Sequence, residues 1–416
     1  MKIYIEVYGC TANKSDASLI KGLLKKNSYE IVKKIEDADV LIILTCTVIS
    51  TTEQRMLSRL RIFKKTGKKV IVAGCMASIQ PKIIKSLIPE AKLLPAQYSH
   101  HIIDILKNNK ISFIEKNKTS ILKKFDGPIA PISIAEGCMF SCSYCITSPA
   151  RGRLKSFSSN EIVKDVYSAI NQGCKEIQLT AQDTGSYGLD INGNLGELLQ
   201  NICKIRGDFR IRIGMMNPYT ALKNLDSIIQ GFGDPRIYKF LHLPIQSGDN
   251  NILNKMNRKY TIDDFLFIIK NFRDTYPKIT ISTDIIVGFP TETNDQFNRS
   301  IKLIKKLNPD IVNITRYSAR PFTKAKIMNG RVKTDIVKER SKILTEICMK
   351  ILKEKNARYI GRKINVLIIK KGRNNTSIGR TENYKSVVLS ENIDIGLNIP
   401  VEITNATTTH LVGTLI

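Results

Sequence analysis

Three cysteines stand close together in the segment GCMFSCSYC, as Cys138, Cys142 and Cys145. The spacing C-x-x-x-C-x-x-C allows three thiolates of one loop to bind one soft metal centre. Three protein ligands on a four-iron cluster leave one iron free, and that iron can chelate a small molecule through its amino and carboxylate groups. The spacing therefore predicts an iron–sulfur cluster with an open coordination site.

The alternative for this loop is a zinc knuckle. Structural zinc normally has a fourth ligand at comparable spacing. The chain has only four histidines, and none of them is close to the loop in sequence: His100, His101, His242 and His410. We therefore favour the cluster over zinc.

Three further cysteines, Cys10, Cys46 and Cys75, each follow a short apolar run: EVYGC, ILTC and VAGC. Each interval between them has the length of one βα unit, and the carboxyl ends of parallel strands meet in one crevice. A single buried cysteine would more simply fill the core, but three in register favour a second three-cysteine cluster. The remaining cysteines, Cys174, Cys203 and Cys348, fall within or beside helical patterns and are assigned to the core.

The elements that position the dispersed cysteines form a repeated βαβ pattern. Apolar runs at residues 2–8, 40–45 and 70–74 alternate with segments of helical periodicity, and a weaker apolar patch spans Ala91 to Leu94. The pattern predicts an α/β fold in which residues 1–125 form a doubly wound parallel sheet. The segment LKKFDGPIAPIS, with two prolines and a glycine, is then a linker.

Residues 126–356 repeat the alternation of strands and helices. Six strand segments occur between Ile132 and Ile314: ISIA, EIQLT, IRIG, YKFLHLP, ITISTDIIV and IVNIT. They predict a partial or complete parallel (β/α) barrel, with the chemistry in the loops after the strands. A long charged helix is expected near residues 333–356. The five short alternating strands of residues 357–416 predict a small antiparallel β-barrel.

Composition restricts the class of protein. Of the 416 residues, 42% are apolar, which excludes a mainly disordered chain. The formal net charge of +28 favours polyanionic partners. No apolar run approaches the ~20 residues that would span a bilayer. Nine cysteines, an odd number spread through a long chain, favour a reducing compartment. We therefore expect a cytoplasmic protein without a membrane partner.

The cysteine loop after the first barrel strand resembles that of the radical S-adenosylmethionine superfamily. The preceding sheet with three dispersed cysteines is similar to the methylthiotransferase branch, as are the segments KFLHLPIQSGDNNILNKMNRKYT, DIIVGFPTET and RYSARPFTKA. The last 60 residues resemble the RNA-binding TRAM barrel of that branch. The phrases YGCTANKSD and SPARGRLKS are most similar to the archaeal and eukaryotic threonylcarbamoyladenosine type.

The resemblance implies a mechanism with two 4Fe–4S clusters and S-adenosylmethionine. The cluster on Cys138, Cys142 and Cys145 would bind S-adenosylmethionine and cleave it to a 5′-deoxyadenosyl radical, which removes hydrogen from C2 of an adenine. The cluster on Cys10, Cys46 and Cys75 would deliver a methylated sulfur, with the methyl group coming from a second S-adenosylmethionine. The adenine must then lie between the two clusters.

The resemblance also implies cofactor contacts. Ala181, Gln182 and Asp183 occupy the place where the superfamily often has Gly-Gly-Glu, so Gln182 or Asp183 would bind the methionine amino group. Gln246 and Ser247 would contact the ribose. Gly288 and Phe289 fit the motif on the adenine side, or else form an ordinary turn after a strand. Phe140 and Tyr144 would pack around the cysteine loop and shield it from water.

Basic residues are candidates for contact with RNA. In the terminal barrel, phosphates would be bound by Lys370, Lys371, Arg373 and Arg380, which could equally form a solvated turn. Arg151, Arg153 and Lys155 follow the cysteine loop, where they would grip the anticodon stem or balance the negative charge of the cluster.

The implied substrate is N6-threonylcarbamoyladenosine at position 37 of tRNA, which becomes its 2-methylthio derivative. The implied partners are tRNA, through its anticodon stem-loop, S-adenosylmethionine, an electron donor and a sulfur source. The same chemistry on isopentenyladenosine in tRNA or on an aspartate of a ribosomal protein is the first alternative. A non-catalytic RNA-binding protein with structural zinc is the second.

Overall fold

A computed structural model describes residues 1–109, 117–119 and 121–416. Three β-structures follow one another along the chain: a parallel sheet, an open parallel barrel and a small closed barrel. Within the described residues, no helix combines the length and the apolar character needed to cross a membrane.

The first sheet has five strands in the order β2-β1-β3-β4-β5, and all of its pairs are parallel. Its strands are β1 (Lys2–Val7), β2 (Glu30–Val32), β3 (Val40–Thr45), β4 (Lys69–Gly74) and β5 (Lys92–Pro95). The helices are α1 (Thr11–Lys26), α2 (Ser50–Lys65), α3 (Cys75–Ile79), α4 (Pro81–Leu87) and α5 (Ile102–Leu106). The short edge strand β2 is the one strand of this sheet that the apolar pattern did not predict, because its residues are largely exposed.

Both faces of this sheet are covered. Along β3, Leu41 and Ile43 pack in a core with α2 and α4, while Val40, Ile42 and Leu44 pack in a second core with α1 and α5. A strand buried on both faces reads as a continuous apolar run instead of an alternating one. The predicted doubly wound sheet is confirmed.

The central region has six parallel strands arranged as two sheets, β6-β9-β10 and β11-β12-β13. The strands are β6 (Ile129–Ser133), β9 (Glu176–Thr180), β10 (Arg210–Ile213), β11 (Phe240–His242), β12 (Thr280–Val287) and β13 (Ile311–Arg316); a small ladder is formed by β7 (Ala135–Glu136) and β8 (Lys155–Ser156). A parallel bridge between Ile211 and Ile237 joins the two sheets. The arrangement is the partial form of the predicted barrel.

Helices alternate with these strands and pack around them. They are α6 (Thr147–Arg151), α7 (Ser159–Asn171), α8 (Leu195–Ile202), α9 (Pro218–Lys223), α10 (Leu225–Gly231), α11 (Asn250–Lys255), α12 (Ile262–Thr275) and α13 (Asn294–Leu307). Both α12 and α13 begin with a capping box, at Thr261 and Thr293, which satisfies backbone N–H groups of the first turn. Cys174 and Cys348 lie in the apolar core of this region and Cys203 packs against it, in agreement with their assignment.

The long helix α14 (Thr334–Ala357) leads into a closed five-stranded barrel in the order β14-β15-β16-β18-β17. Its strands are β14 (Lys363–Lys371), β15 (Ser377–Arg380), β16 (Ser386–Leu389), β17 (Asn398–Ala406) and β18 (Leu411–Leu415). Four of its neighbouring strand pairs are antiparallel and the pair β16·β18 is parallel, so the predicted small β-barrel is confirmed, with one parallel pair in it. Five strands cannot alternate in direction all the way around a closed barrel, and therefore one neighbouring pair must be parallel.

The terminal barrel docks on the floor of the central barrel, where the parallel strands begin. The Tyr384 hydroxyl donates to Glu176 Oε1 at 3.1 Å, and Lys385 Nζ donates to Asp310 Oδ1 at 3.0 Å. Glu176 is the first residue of β9, and Asp310 directly precedes β13. The loops that carry the cysteines are at the opposite end of the strands.

Candidate active site

The first triad, Cys138, Cys142 and Cys145, lies in the loop after β7. Gly137 precedes the triad at φ +75°, and a Cβ there would lie 1.9 Å from the Arg153 carbonyl oxygen. Only glycine fits so close to another backbone segment. The loop consequently folds back on the chain that follows it, and the Cys138 N–H donates to the Gly152 carbonyl at 3.1 Å.

Backbone N–H groups point at two sulfurs of the first triad. The Phe140 N–H donates to Cys138 Sγ at 3.4 Å, and the Thr147 N–H donates to Cys145 Sγ at 3.3 Å. Such donors stabilise negative charge on a thiolate and tune the potential of a bound cluster. The loop conformation is therefore suited to metal-bound sulfur.

The third sulfur of the triad has a cationic donor. Arg258 Nη1 lies 3.4 Å from Cys142 Sγ, and Arg258 Nε donates to the Tyr260 hydroxyl at 2.8 Å. Arg258 follows α11 and was not among the predicted site residues, since no spacing rule connects it to the cysteine loop. Its guanidinium places a fixed positive charge beside the triad.

Burial favours the protonated thiol at Cys138 and Cys142. Burial raises the pKa of Cys138 to about 12, with smaller contributions from Asp183, Cys145 and Cys142. Burial likewise raises the pKa of Cys142, against the effect of Arg258. A metal centre removes such protons because it replaces the lost solvation with direct coordination.

A cavity of about 350 Å³ opens above the first triad, at the carboxyl ends of the barrel strands. Its wall includes the three cysteines of the triad and side chains that follow four other barrel strands, β9, β10, β11 and β13. Those that carry the argument are Gln182, Met215, Gln246, Arg258 and Tyr317. Val48 and Ile49, which follow Cys46 in the first sheet, complete the wall, so the cavity is shared between the sheet and the barrel.

Gln182 and Asp183 both line the cavity, but in different ways. The Asp183 carboxylate accepts from the N–H groups of Gly185 and Asn217, at 3.0 and 2.9 Å, and from the Thr220 hydroxyl. Burial raises the pKa of Asp183 to about 6. By contrast, Gln182 Oε1 is buried without a hydrogen-bond partner among the described residues. Of the two candidates, Gln182 is therefore the one with an acceptor free for a ligand.

Gln246 lines the cavity and Ser247 does not. Gln246 has φ +75°, and its backbone accepts from the Ile286 N–H at 2.9 Å, which fixes it to β12. Ser247 is 1% exposed and its hydroxyl accepts from the Asp249 N–H. The prediction that Ser247 contacts the ribose directly is corrected: it supports the turn behind Gln246.

Gly288 and Phe289 also lie behind the cavity wall. The Gly288 N–H donates to Glu292 Oε2 at 2.7 Å, and a Cβ on Gly288 would lie 2.3 Å from Val337. Phe289 is fully buried against Tyr144 and Tyr317, both of which line the cavity. The prediction that these two residues contact the cofactor directly is therefore corrected. They lie behind the two tyrosines and support them.

The second triad, Cys10, Cys46 and Cys75, follows β1, β3 and β4, which are neighbours in the first sheet. The strand order reverses between β1 and β3, which is where such sheets form a crevice. Gly9 has φ +96°, and a Cβ there would lie 2.8 Å from Cys46 Cβ. Gly74 at φ +90° passes equally close to the Thr45 carbonyl. Glycines thus allow the three loops to approach each other.

The thiols of the second triad influence one another. Burial raises the pKa of Cys75 to about 11, and Cys10 and Cys46 raise it further. Burial also raises the pKa of Cys46, again with a contribution from Cys10. Cys10 is exposed to solvent while the other two are buried. The three sulfurs are therefore close enough to interact, at an opening of the sheet.

Helix α6 connects the two triads. It begins at Thr147, whose N–H donates to Cys145 Sγ, and its buried face packs Ile146 and Ala150 against Cys75. One short helix therefore touches a sulfur of the first triad and a cysteine of the second.

Arg151, at the end of α6, is not an RNA contact in this structure. It is 3% exposed, and its Nη2 donates to Asn13 Oδ1 and Asp16 Oδ2, both at 2.8 Å. Its Nη1 donates to Glu136 Oε1 at 3.1 Å. Burial raises the pKa of the Cys75 thiol, and the positive charge of Arg151 opposes that rise. The prediction that Arg151 grips the anticodon stem is therefore wrong, and its second interpretation, balance of negative charge near a cluster, agrees with the geometry.

The other residues predicted to contact RNA lie in two regions, beyond α6 and on the terminal barrel. Arg153 and Lys155 are exposed beyond α6, and Lys370, Lys371 and Arg373 are exposed on the terminal barrel. Arg380 differs from them, because its guanidinium stacks 4.6 Å from the centroid of the Tyr384 ring, at the junction with the central barrel. The predicted contact of Arg380 with a phosphate remains a prediction, in a junction cavity that it shares with Arg210 and Lys278.

The described residues include no group of three histidine, cysteine or carboxylate side chains arranged to hold a single metal ion. The thiolates around a four-iron cluster lie farther apart than those around one ion. The arrangement of the triads therefore gives no support to the zinc alternative.

Family models match three parts of the chain. Residues 2–95 match Uncharacterized protein family UPF0004, residues 132–304 match the radical SAM superfamily, and residues 357–416 match the TRAM domain. The first model covers the second triad and the second model covers the first triad.

Curated relatives match the whole chain. A probable threonylcarbamoyladenosine tRNA methylthiotransferase from Archaeoglobus fulgidus is 42% identical, over 100% of this chain and 99% of the relative. One from Pyrococcus horikoshii is also 42% identical, over the full length of both. The threonylcarbamoyladenosine tRNA methylthiotransferase of Drosophila melanogaster is 32% identical, over 100% of this chain and 78% of the relative.

Solved structures share the fold at low identity. The radical S-adenosylmethionine methyltransferase TsrM from Kitasatospora setae has a TM-score of 0.57 at 12% identity, covering 78% of this chain and 77% of that one. The cobalamin-dependent S-adenosylmethionine radical enzyme OxsB has a TM-score of 0.54 at 10% identity, covering 83% and 56%.

Proposed function

The chain belongs to the threonylcarbamoyladenosine tRNA methylthiotransferase family, and from this premise we propose that it converts N6-threonylcarbamoyladenosine at position 37 of tRNA to the 2-methylthio derivative. One observation carries the proposal. The cavity above the first triad is closed on one side by Val48 and Ile49, which follow a cysteine of the second triad. A base bound in this cavity would lie between the first triad and the segment that follows Cys46.

The donor set at the cavity fits a 4Fe–4S cluster with S-adenosylmethionine. All three sulfurs of the first triad accept a hydrogen bond, and Gln182 Oε1 has no partner in the part of the chain that the structure describes. When bound, the cluster and S-adenosylmethionine supply the one-electron chemistry that an aromatic C–H bond requires. Gln182 would accept from the methionine amino group, Gln246 would bind the ribose, and Phe140 and Tyr144 would exclude water from the sulfurs.

The second triad is proposed to hold a second 4Fe–4S cluster. Its support is the donor set of three thiols and the buried Arg151, whose Nε has no hydrogen-bond partner among the described residues. When bound, this cluster would supply the sulfur that is transferred. The positive charge of Arg151 would offset the negative charge of the Cys75 sulfur.

Replacing a hydrogen by a methylthio group consumes a sulfur atom, a methyl group and electrons. We therefore include an external electron donor and a sulfur source among the partners, with S-adenosylmethionine as the methyl donor. The tRNA is held through exposed cations, for which Arg153, Lys155, Lys370, Lys371 and Arg373 are the candidates. Residues 1–125, 126–356 and 357–416 are the proposed domains, and the cytoplasm is the proposed location.

Mass spectrometry of tRNA nucleosides from a deletion strain tests the substrate. We expect the 2-methylthio-threonylcarbamoyl nucleoside to disappear and its unmethylthiolated precursor to accumulate. Complementation with the unaltered gene should restore the product, whereas a Cys138→Ala gene should not. Persistence of the nucleoside would reject this substrate, and loss of a 2-methylthio-isopentenyl nucleoside or of a modified ribosomal aspartate would identify the alternative.

A further inference from the structure

We propose that Phe322 stacks on an unpaired base of the anticodon loop next to the adenosine that enters the cavity; this inference rests on the proposed function. Phe322 lies in the loop after β13 and is 76% exposed. It is among the most exposed large apolar side chains of the described residues. An exposed aromatic ring is suited to an unstacked base, because every base has a flat face to stack on.

The backbone at Phe322 is held in an unfavourable conformation. Its φ is +61°, a left-handed value that a residue with a Cβ seldom adopts. The exposed ring gains no packing in return. Strain of this kind persists only where the surrounding structure enforces it, and it is found at binding sites.

Buried neighbours on both sides enforce this conformation. The Thr323 hydroxyl donates to the Arg320 carbonyl at 2.7 Å, and both residues are buried, at 7% and 4% exposure. The Ala325 N–H donates to the Ser143 carbonyl at 2.8 Å. Phe322 is thus the exposed tip of a segment whose flanks are fixed.

The same flanks locate Phe322 at the rim of the cavity. Arg320 hydrogen-bonds Thr47 and pairs with Glu53, and Thr47 lies between Cys46 and the wall residue Val48. On the other side, Ser143 lies between Cys142 and Cys145. The backbone that carries the ring is therefore fixed between segments that also carry cysteines of both triads.

The charge around Phe322 favours RNA over a protein partner. Residues 311–334 contain six lysines and arginines and no aspartate or glutamate. Arg316, Lys324 and Lys326 of this set are exposed. Cations beside an exposed aromatic ring form the combination that binds single-stranded nucleic acid.

The chain has no tryptophan, so a Phe322→Trp variant carries a single indole as a local reporter. The test uses the full chain with its clusters and a synthetic anticodon stem-loop containing threonylcarbamoyladenosine. We expect the stem-loop to quench the emission of the introduced indole. Phe267→Trp, at a position 53% exposed on α12, is the matched control and should not respond.

Affinity measurements separate stacking from a structural role. Phe322→Ala should bind the stem-loop about tenfold more weakly, whereas Phe322→Tyr and Phe322→Trp should keep the affinity of the unaltered chain. Phe322→Gly should also bind weakly although its melting temperature is unchanged or higher, because glycine removes the strain.

Two results would overturn the stacking role while leaving the proposed function intact. One is an unquenched indole at position 322 on a chain that binds the stem-loop. The other is equal affinity of Phe322→Ala and the unaltered chain; if Phe322→Ala then lost modification in cells, a protein partner would be indicated. If the unaltered chain bound no tRNA stem-loop and formed no product, the proposed function would fail first.

Discussion

Arg258 Nη1 donates to Cys142 Sγ at 3.4 Å, although the two residues are 116 positions apart in the chain. The contact joins the segment after α11 to the cysteine loop and brings a permanent cation to a sulfur of the first triad. Positive charge near a cluster favours its reduced state, since that state carries one more electron.

Arg258→Gln should therefore lower the reduction potential of the first cluster. Loss of one charge-assisted hydrogen bond, about 1.4 kcal/mol, corresponds to a shift of about 60 mV for one electron. A redox titration followed by electron paramagnetic resonance measures it. The control is Lys259→Gln, at the exposed neighbouring position. Equal reduction potentials in the two variants would show that Arg258 does not tune the potential of the cluster.

Substitutions in the two triads should block different steps of the reaction. Cys138→Ala should abolish 5′-deoxyadenosine formation, whereas Cys46→Ala should stop methylthiolation and allow some cofactor cleavage. Anaerobically purified chain should contain about eight irons, and each variant about four. Cys348→Ala, in the core, should retain all the iron. Equal loss of cleavage in both triad variants would contradict the division of labour, and stoichiometric zinc without visible absorbance would contradict both clusters.

Arg151→Met should destabilise the chain strongly, because it leaves Asp16 and Glu136 buried with only Lys118 to compensate them. Breaking a buried ion-pair network in this way costs about 3–5 kcal/mol. Denaturant unfolding measures the loss. Arg153→Met, two residues away and exposed, should change the free energy of unfolding by less than about 0.5 kcal/mol. Similar losses in the two variants would contradict the structural role of Arg151.

Asp183 should make stability depend on pH. Its pKa rises from 3.8 to about 6 in the folded chain. Its contribution to the free energy of unfolding is therefore complete below pH 3.8 and is lost as the pH rises through about 6. Relative to the unaltered chain, Asp183→Asn should gain up to about 3 kcal/mol between those limits. Unfolding of both chains at each pH gives the difference, with the exposed Asp226→Asn as the control for lost charge. A difference that does not change with pH would contradict the raised pKa.

Much of this architecture could be predicted from the sequence. Continuous apolar runs located β1, β3 and β4, and the cysteine after each run indicated where the sheet opens. The six central strands lie where alternation predicted them. These features could be predicted because they depend on local patterns and on spacing along the chain.

The errors concern contacts between distant segments. Arg151 follows the cysteine loop in sequence, and this position predicts a surface cation. In the structure its side chain is buried because its partners come from α1 and β7. Arg258 was missed for the same reason. Ser247 and Phe289 are adjacent to wall residues, and the sequence does not tell which of two neighbours faces a cavity. The parallel pair in the terminal barrel, by contrast, follows from the odd number of strands.

The attachment of the terminal barrel to Glu176 and Asp310 has a consequence for the size of the substrate. The strand β9 alone separates the floor from the mouth of the cavity by about 16 Å. An RNA that bound both the mouth of the cavity and the exposed cations of the last 60 residues would therefore have to extend along the side of the molecule between the two.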